Sequence, residues 1–492
     1  MDRVISFFSQ HSLKLGILCV VVLFLFFFPP FFVSIDEHQY ISNALLLQEN
    51  NLKDANPLLY CGGIVSGEDY LSSYHIGKSF SIIPFTWFPF PFIMLSGLLI
   101  HLLNSFFFFL ILGKIKIDRR WTLLFLFYPA FLWESRTLFS ETFALSFLLA
   151  GAYFYLARSP SRMVVAGFLF GLAALVRYET VLISLGFALA LFWNTRKDRF
   201  HWKHRFVFFA VGGCVAGLLL LGWNAWYYGN PFSTQFGSPA RLFTSFPQPL
   251  FLNNLISFVG ILLIAYPLLL VSPFRSHVLR LELILASVFT LFLFSQTTNI
   301  SVYPFLSPLT ITGRMRYFIP LSGLLLIVYA ESLSRLIPAV TKKLGSANFS
   351  RMGTGILLLF VAGILALNVM HQGLLEKRAT VSDQIQGAIP SDALVIGSSD
   401  DCIYFLPLLS GDRKYVKVDD AMKDIPLLIE MHEGPVFVMR LRYSNLSESS
   451  IRQDVIDKER ESMDAFILAN DSHLSPVFDS NSPHSLTIYA WK

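Results

Sequence analysis

The run Leu18-Cys19-Val20-Val21-Val22-Leu23-Phe24-Leu25-Phe26-Phe27-Phe28-Pro29-Pro30-Phe31-Phe32-Val33-Ser34-Ile35-Asp36-Glu37-His38-Gln39-Tyr40 sets the class of this chain. Leu18 to Val33 carries no charge, and with the residues before it supplies the ~20 apolar positions a helix needs to cross a bilayer. Two adjacent carboxylates, Asp36 and Glu37, follow at once. Ionisable groups at a membrane boundary are costly, which makes them functional candidates. Upstream, Arg3 and Lys14 precede the apolar core in the manner of a signal peptide, but no small-residue cleavage site follows. The segment reads as a retained anchor.

The rest of the chain shares this character. It is 54% hydrophobic and 14% charged, with 50 Phe, whereas a soluble domain carries about a quarter charged residues. This is the composition of an α-helical polytopic membrane protein. The net charge of +5 does not point to nucleic acid, because the basic residues sit in short loops between apolar runs. The four cysteines, Cys19, Cys61, Cys214 and Cys402, have no metal-ligand spacing. His38 and His75 read as hydrogen-bonded loop residues, and no metal or other cofactor is expected.

Basic loops orient the spans. Lys114, Lys116, Arg119 and Arg120 form one cluster, Arg158 and Arg162 a second, and Arg196, Lys197, Arg199, Lys203 and Arg205 a third. Arg275 with Arg280, and Arg335 with Lys342, Lys343 and Arg351, follow. Placing all of them on the cytoplasmic side satisfies the positive-inside rule and requires an even number of crossings between successive clusters. Trp121 to Ala157 is therefore read as two spans around a small outer turn at Glu134-Ser135-Arg136. Met163 to Trp193 is read as a short hairpin, because two apolar segments of about 14 residues flank Arg177-Tyr178-Glu179 and each falls short of a full crossing. Plainer spans lie at roughly 83–113, 206–224, 251–271, 281–296, 316–334 and 352–370. The total is about eleven, with the N-terminus inside and the C-terminus outside.

Residues 1–370 form the expected membrane domain, and the character changes after it. Residues 371–492 carry strand-length apolar runs at Ala393–Ile396, Pro435–Met439 and Ser485–Tyr489, separated by helix-like stretches such as Ser450 to Leu468. That alternation predicts a small extracytoplasmic α/β domain, a structural cap on the membrane part. Cys61 and Cys402 both fall outside, where a disulfide and two free thiols are both open readings.

With basic residues kept inside, the outer ones need individual reasons. In the membrane part they are Lys53, Lys78, Arg136, Arg177, Arg241, Arg314 and Arg316, and the outer acids near spans include Asp36, Glu37, Glu134, Glu141 and Glu179. Carboxylates and isolated cations on one membrane face suit a reaction at a lipid phosphate, the cations holding the phosphate and a carboxylate accepting a proton.

Five features, in order, resemble the GT-C glycosyltransferases that use polyprenyl-phosphate sugars, especially the protein O-mannosyltransferase and aminoarabinose transferase branch. They are Asp36-Glu37 followed by Tyr40, then Tyr74-His75-Ile76-Gly77-Lys78 leading into Ile82-Ile83-Pro84-Phe85, and Ser135-Arg136 with Glu141. The apolar stretch Gly171 to Val176 ending in Arg177-Tyr178-Glu179 is the fourth. Tyr228-Gly229-Asn230-Pro231-Phe232, followed later by Arg314-Met315-Arg316-Tyr317, is the fifth. The resemblance covers about residues 15 to 335. Tyr178 stands where the family usually has Pro, and Ile76 where Pro is frequent.

The resemblance implies transfer of a sugar from a polyprenyl-phosphate donor to an acceptor hydroxyl of a lipid, glycan or protein, on the extracytoplasmic face and with inversion. It maps the general base onto Asp36, with Glu37 beside it, and substrate or donor-phosphate binding onto Lys78, Arg136, Glu141, Arg177, Arg314 and Arg316. The expected location is a bacterial cytoplasmic (inner) membrane, ahead of the ER membrane. The residues alone leave alternatives open. Asp36 suits a helix N-cap, Arg136 and Glu141 could pair structurally, and Arg314, Arg316 and Lys78 could be interfacial snorkelling cations. A polytopic transporter or lipid flippase, a surface-polysaccharide ligase or polymerase, and a non-catalytic scaffold are the competing functions. The gathering of charge at one face and the lack of an internal repeat weigh against a transporter.

Overall fold

The computed structural model describes residues 2–32, 34–49, 63–66, 69–72, 76–157, 159–194, 201–233, 251–265, 272, 278–297, 315–344, 346–398, 401–406, 412–418, 425–442, 453–482 and 484–492. Along the chain, α1 (Asp2–Phe26), α2 (Ile35–Glu49), β1 (Gly63–Ser66), β2 (Asp69–Ser72) and α3 (Ile76–Ile82) come first. Next are α4 (Leu95–Lys114), α5 (Thr122–Leu126), α6 (Pro129–Glu134), α7 (Ser140–Tyr155), α8 (Pro160–Val176), α9 (Val181–Asn194) and α10 (His201–Tyr228). α11 (Phe251–Ala265), α12 (Arg280–Thr297), α13 (Ile319–Leu344) and α14 (Ser346–Ala388) complete the apolar helices. The C-terminal residues form β3 (Leu394–Gly397), β4 (Lys414–Lys417), α15 (Ile425–Met431), β5 (Val436–Arg442), α16 (Gln453–Ala469), β6 (Leu474–Ser480) and β7 (Ser485–Trp491).

Helix ends follow local chemistry. α1 stops just before Pro29-Pro30, where the missing N–H groups and the restricted pre-proline residue cannot continue a helix. α6 and α8 each take Pro in the first turn, Pro129 and Pro160, after an extended residue. α10 stops where Gly229 adopts a φ of 74°. Asn230 Oδ1 then accepts the Phe232 N–H at 2.9 Å, which turns the chain.

Two compact units result, residues 1–28 with 95–369, and residues 29–94 with 370–492. The first is helical. Its core runs through Phe108, Leu148, Phe170, Phe187, Leu283 and Leu324, each fully buried. Among the described residues, the helices Phe92–Lys114, His204–Tyr228, Arg316–Lys342 and Leu358–Ala388 are long and apolar enough to cross a membrane. His11–Phe26, Pro160–Val176, Tyr178–Asn194 and Phe251–Leu263 are shorter apolar helices. The chain is a multi-pass membrane protein. α8 and α9 form the short hairpin read from the sequence, at 17 and 14 residues, or about 25 and 21 Å. Arg177, with extended φ and ψ of −156° and 109°, makes the break between them. A turn at Ser135-Arg136 separates α6 from α7, but the first of the two spans read there is instead two short helices, α5 and α6, of 5 and 6 residues, broken ahead of Pro129.

The second unit holds a five-stranded mixed sheet in the order β4-β3-β5-β7-β6. β3 pairs in parallel with β4 and β5, and β7 pairs antiparallel with β5 and β6. β3 is buried at every position, the mark of a parallel strand covered on both faces. Leu394, Ile396, Val416 and Val438 pack with Met463 and Phe466 of α16. The small C-terminal α/β fold read from the sequence is present, with β4 and β6 as additional strands. α2, α3 and the β1–β2 hairpin share this unit, although the sequence reading counted residues 29–94 with the membrane domain. α2 is polar along much of its length, and it buries that polar surface within protein. Cys402 is disulfide-bonded and its partner lies outside the described residues, while Cys19 and Cys214 are free.

Candidate active site

α7 opens on Ser140-Glu141 after an extended Phe139, which puts a carboxylate in the first turn of a helix whose other residues are mostly apolar. Glu141 is 1% exposed, and Arg177 Nη1 reaches its Oε1 at 2.9 Å from the end of α8. The approach is close but not aligned as a hydrogen bond. Arg177 also donates to Ser140 Oγ at 3.2 Å and lies 3.3 Å from Glu179 Oε1. Arg316, in the 3-10 turn that leads into α13, places its Nε 3.7 Å from the same Glu141 oxygen. Its guanidinium sits 4.3 Å from the centre of the Phe139 ring and 5.2 Å from that of Tyr317, while Arg177 lies 5.4 Å from Tyr317. Three helix ends thus bring two guanidiniums and one carboxylate around an aromatic ring. Arg177 is neutralised from two sides by Glu141 and Glu179. Arg316 is held by Glu141 at longer range.

Next to this cluster, Tyr178 donates to Asn224 Oδ1 at 3.0 Å, and Asn224 Nδ2 donates to the Pro231 carbonyl at 3.3 Å. The residue that replaces the family's usual Pro therefore ties the hairpin tip to the Tyr228–Phe232 motif.

Arg136 is engaged differently. It is 2% exposed, donates from Nε to the Phe27 carbonyl at 3.0 Å, and from Nη1 to Asn368 Oδ1 at 2.9 Å and to the Asn368 carbonyl at 3.2 Å. These contacts link the end of α1, the turn before α7, and α14. Glu141 takes Arg177 and Arg316 as its partners, so Ser135-Arg136 and Glu141, joined as one motif in the sequence, serve different contacts.

The remaining candidates belong to the second unit. Asp36 and Glu37 occupy the first turn of α2. Glu37 is fully buried, and its Oε2 accepts the Ser34 backbone N–H at 3.0 Å, one half of a capping box. Asp36 keeps partial exposure. Lys78, on α3, is fully buried with Ser79 beside it, and α2 buries His38, Gln39, Ser42 and Asn43. His38 Nδ1 lies 3.4 Å from Ser42 Oγ. Burial, followed by the nearby Lys417 charge, pushes the His38 imidazole down to about 3, so it is neutral. Asn43 Oδ1 and Nδ2 and Ser79 Oγ are buried without a hydrogen-bond partner among the described residues. Gln48 donates to Thr86 Oγ1 at 2.6 Å, which fixes α2 to the turn that follows α3.

The structure thus gathers Glu141, Arg177 and Arg316 in one unit and Asp36, Glu37 and Lys78 in the other. Arg314 lies outside the described residues. Ser140 and Tyr317, the latter part of the Arg314–Tyr317 motif, complete the first cluster, and Asn224 lies beside it; Ser140 and Asn224 are not among the sequence candidates. For Ser140 and Tyr317 the signal in the sequence is adjacency to Glu141 and Arg316, and Asn224 carries none.

No protein-family model matches the chain, and no curated protein is similar to it in sequence. Among solved structures, the chain is similar to ArnT from Cupriavidus metallidurans bound to undecaprenyl phosphate, at 12% identity and a TM-score of 0.57, over 98% of each chain. It is also similar to ArnT from the same organism in the apo state, at 13% identity and a TM-score of 0.56, over 98% of each chain. The chain shares the fold of these structures over its whole length, in keeping with the GT-C-like fold that the resemblance of its motifs implies.

Proposed function

We propose that this GT-C-fold membrane protein is a glycosyltransferase that moves a sugar from a polyprenyl-phosphate donor to an acceptor hydroxyl at the extracytoplasmic face. The observation that carries the reading is the end-to-end likeness to a chain crystallised with undecaprenyl phosphate. The clustered Arg177 and Arg316 at the outer helix ends add to it. The disulfide at Cys402 supports an oxidising, extracytoplasmic setting for the second unit, which suits the outer face of a bacterial cytoplasmic membrane.

In this reading the acceptor oxygen attacks the anomeric carbon as the bond from that carbon to the phosphate oxygen breaks, with inversion. The acceptor proton passes to the Asp36 carboxylate, and polyprenyl phosphate leaves as an anion. A general base is needed because an alcohol is a poor nucleophile. A general acid is not, because the phosphate leaves as a stable anion once cations hold it. Asp36 suits the base role better than Glu37, whose carboxylate caps α2 and is fully buried. Arg316 is the phosphate-binding residue in this scheme, with Arg314 as a further contributor. Glu141 and Arg177 position Arg316.

Asp36→Asn tests the reading in membranes supplied with a panel of polyprenyl-phosphate sugars, at matched protein levels. A loss of about 10²–10⁴-fold in transfer is expected for a general base. Full transfer by the variant would remove Asp36 from the mechanism, and no transfer by the unaltered chain with any donor in the panel would remove the proposed reaction. Arg316→Ala should raise the donor KM more than it lowers kcat, and an unchanged donor KM would count against its phosphate role.

A further inference from the structure

At the other end of the helical unit, a cavity of about 540 Å³ is lined by Lys114, Tyr155, Asn194, Arg205, Arg280 and Glu282, among other residues. We infer that this cavity is a second, cytoplasmic-side binding site for a phosphate-bearing anion, supplied by the headgroup of an inner-leaflet lipid or by a soluble phosphate.

Helix direction places the cavity opposite the Glu141 cluster. α7 begins at Ser140, beside Arg177, and ends at Tyr155 on the cavity wall. Its 16 residues span about 24 Å, close to the ~30 Å of a hydrocarbon core. Lys114, Arg205 and Arg280 come from three of the basic clusters that the positive-inside rule assigns to the cytoplasm.

Orientation alone accounts for basic residues on this face, where exposed and scattered lysines and arginines would satisfy it. It does not account for three of them converging on one concavity, nor for Arg205 being only 8% exposed. Arg205 is fixed by a 3.3 Å bond from Nη2 to the Tyr155 carbonyl. Among the described residues, the one acid on the wall is Glu282, whose carboxylate accepts the Tyr155 hydroxyl at 2.7 Å and is held within the protein by it. Leu279, also on the wall, holds a φ of 52°, a left-handed conformation that bulky side chains avoid. Strain of this kind persists where surrounding structure enforces it, often at binding sites, and here it sets the start of α12 against the cavity. The volume lies in the usual range for small-ligand sites. Two guanidiniums with an ammonium are the chemistry that recognises phosphate, and basic pockets between cytoplasmic helix ends take anionic lipid headgroups.

The test is native mass spectrometry of the full chain in detergent, titrated with phosphatidylglycerol and, separately, with phosphatidylcholine. Lys114→Ala/Arg280→Ala removes two exposed cations from the cavity rim. Arg120→Ala/Lys342→Ala removes the same charge from exposed positions of the same face outside the cavity. The unaltered chain and the control variant should prefer phosphatidylglycerol. The rim variant should bind it roughly 30-fold more weakly, about fivefold per cation. A parallel thermal-shift titration with inorganic phosphate separates the sources. Stabilisation of the unaltered chain but not of the rim variant assigns the site to a soluble phosphate, and no stabilisation alongside phosphatidylglycerol binding assigns it to the lipid. Equal losses in the rim and control variants, or no preferential binding of any of these anions, would overturn the site.

Discussion

Glu141 shows how much one buried carboxylate can organise. It is 1% exposed and stands between Arg177 at 2.9 Å and Arg316 at 3.7 Å. Breaking an isolated buried ion pair costs about 3–5 kcal/mol, and removing Glu141 costs less than that because Arg177 keeps Glu179 at 3.3 Å. Glu141→Gln should therefore lower the unfolding midpoint in detergent, while Glu141→Asp, which keeps the charge, should recover most of it. A midpoint unchanged by Glu141→Gln would show that the two guanidiniums do not depend on this carboxylate. His38 makes a prediction about pH. Its folded pKa is about 3 against an ordinary value of 6.5, so the unfolded chain binds more protons between those values and stability falls as pH drops below ~6.5. The loss at pH 5 is about 2 kcal/mol. His38→Gln should flatten that dependence in acid-denaturation curves, and an equally steep curve for the variant would reject the assignment. Asp36 and Glu37 were legible as candidates from their place beside an apolar run. Adjacency in sequence did not reveal which of them caps α2, because that depends on how Ser34 is turned.

At the scale of elements, the short α8–α9 hairpin needs close neighbours because neither helix spans a bilayer alone. α8 meets α10 at Gly167 and Gly212. A Cβ on Gly167 would fall 1.9 Å from the Phe209 carbonyl oxygen, and one on Gly212 would fall 1.9 Å from that of Val164. Backbone atoms cannot move aside as a flexible side chain can, so the helices touch along a small-residue seam of the kind membrane helices favour. Gly167→Ala or Gly212→Ala should cost about 1–3 kcal/mol by overpacking, read as a lower melting temperature in detergent. Gly217, with open space around it, is the control position that should tolerate Ala. The hairpin itself was legible from charge parity and segment length. Its partner was not, because glycines in an apolar run do not say which helix they will face.

At the scale of the molecule, charge is distributed by end. The helical unit carries the Glu141 cluster at one end of α7 and the Arg205 cavity at the other. Positive-inside reasoning then predicts that a reporter active only outside the cytoplasm will be active when fused after Lys492 and silent when inserted after Lys197. The reverse pattern would invert the topology and move the proposed chemistry to the cytoplasmic face. Contacts group residues 29–94 with 370–492. Long-range grouping of this kind is invisible to a reading along the chain, where residues 34–82 look like one more loop between spans.

Membrane class, the hairpin at Arg177 and the strand content after residue 390 were legible in the amino-acid order, whereas the ends of α13 and α14 were not: the apolar runs stop near 334 and 370, and the helices continue to Leu344 and Ala388. Each legible feature follows from local quantities: apolar length, loop charge, proline and glycine positions, and period. Packing in three dimensions was needed to learn that Glu141 pairs with Arg177 and Arg316, that Arg136 braces Phe27 and Asn368, and that Asn43 and Ser79 are buried with no hydrogen-bond partner among the described residues. A charged side chain in an apolar setting must find a partner, but which one it finds is set by the packing of helices far apart in the chain.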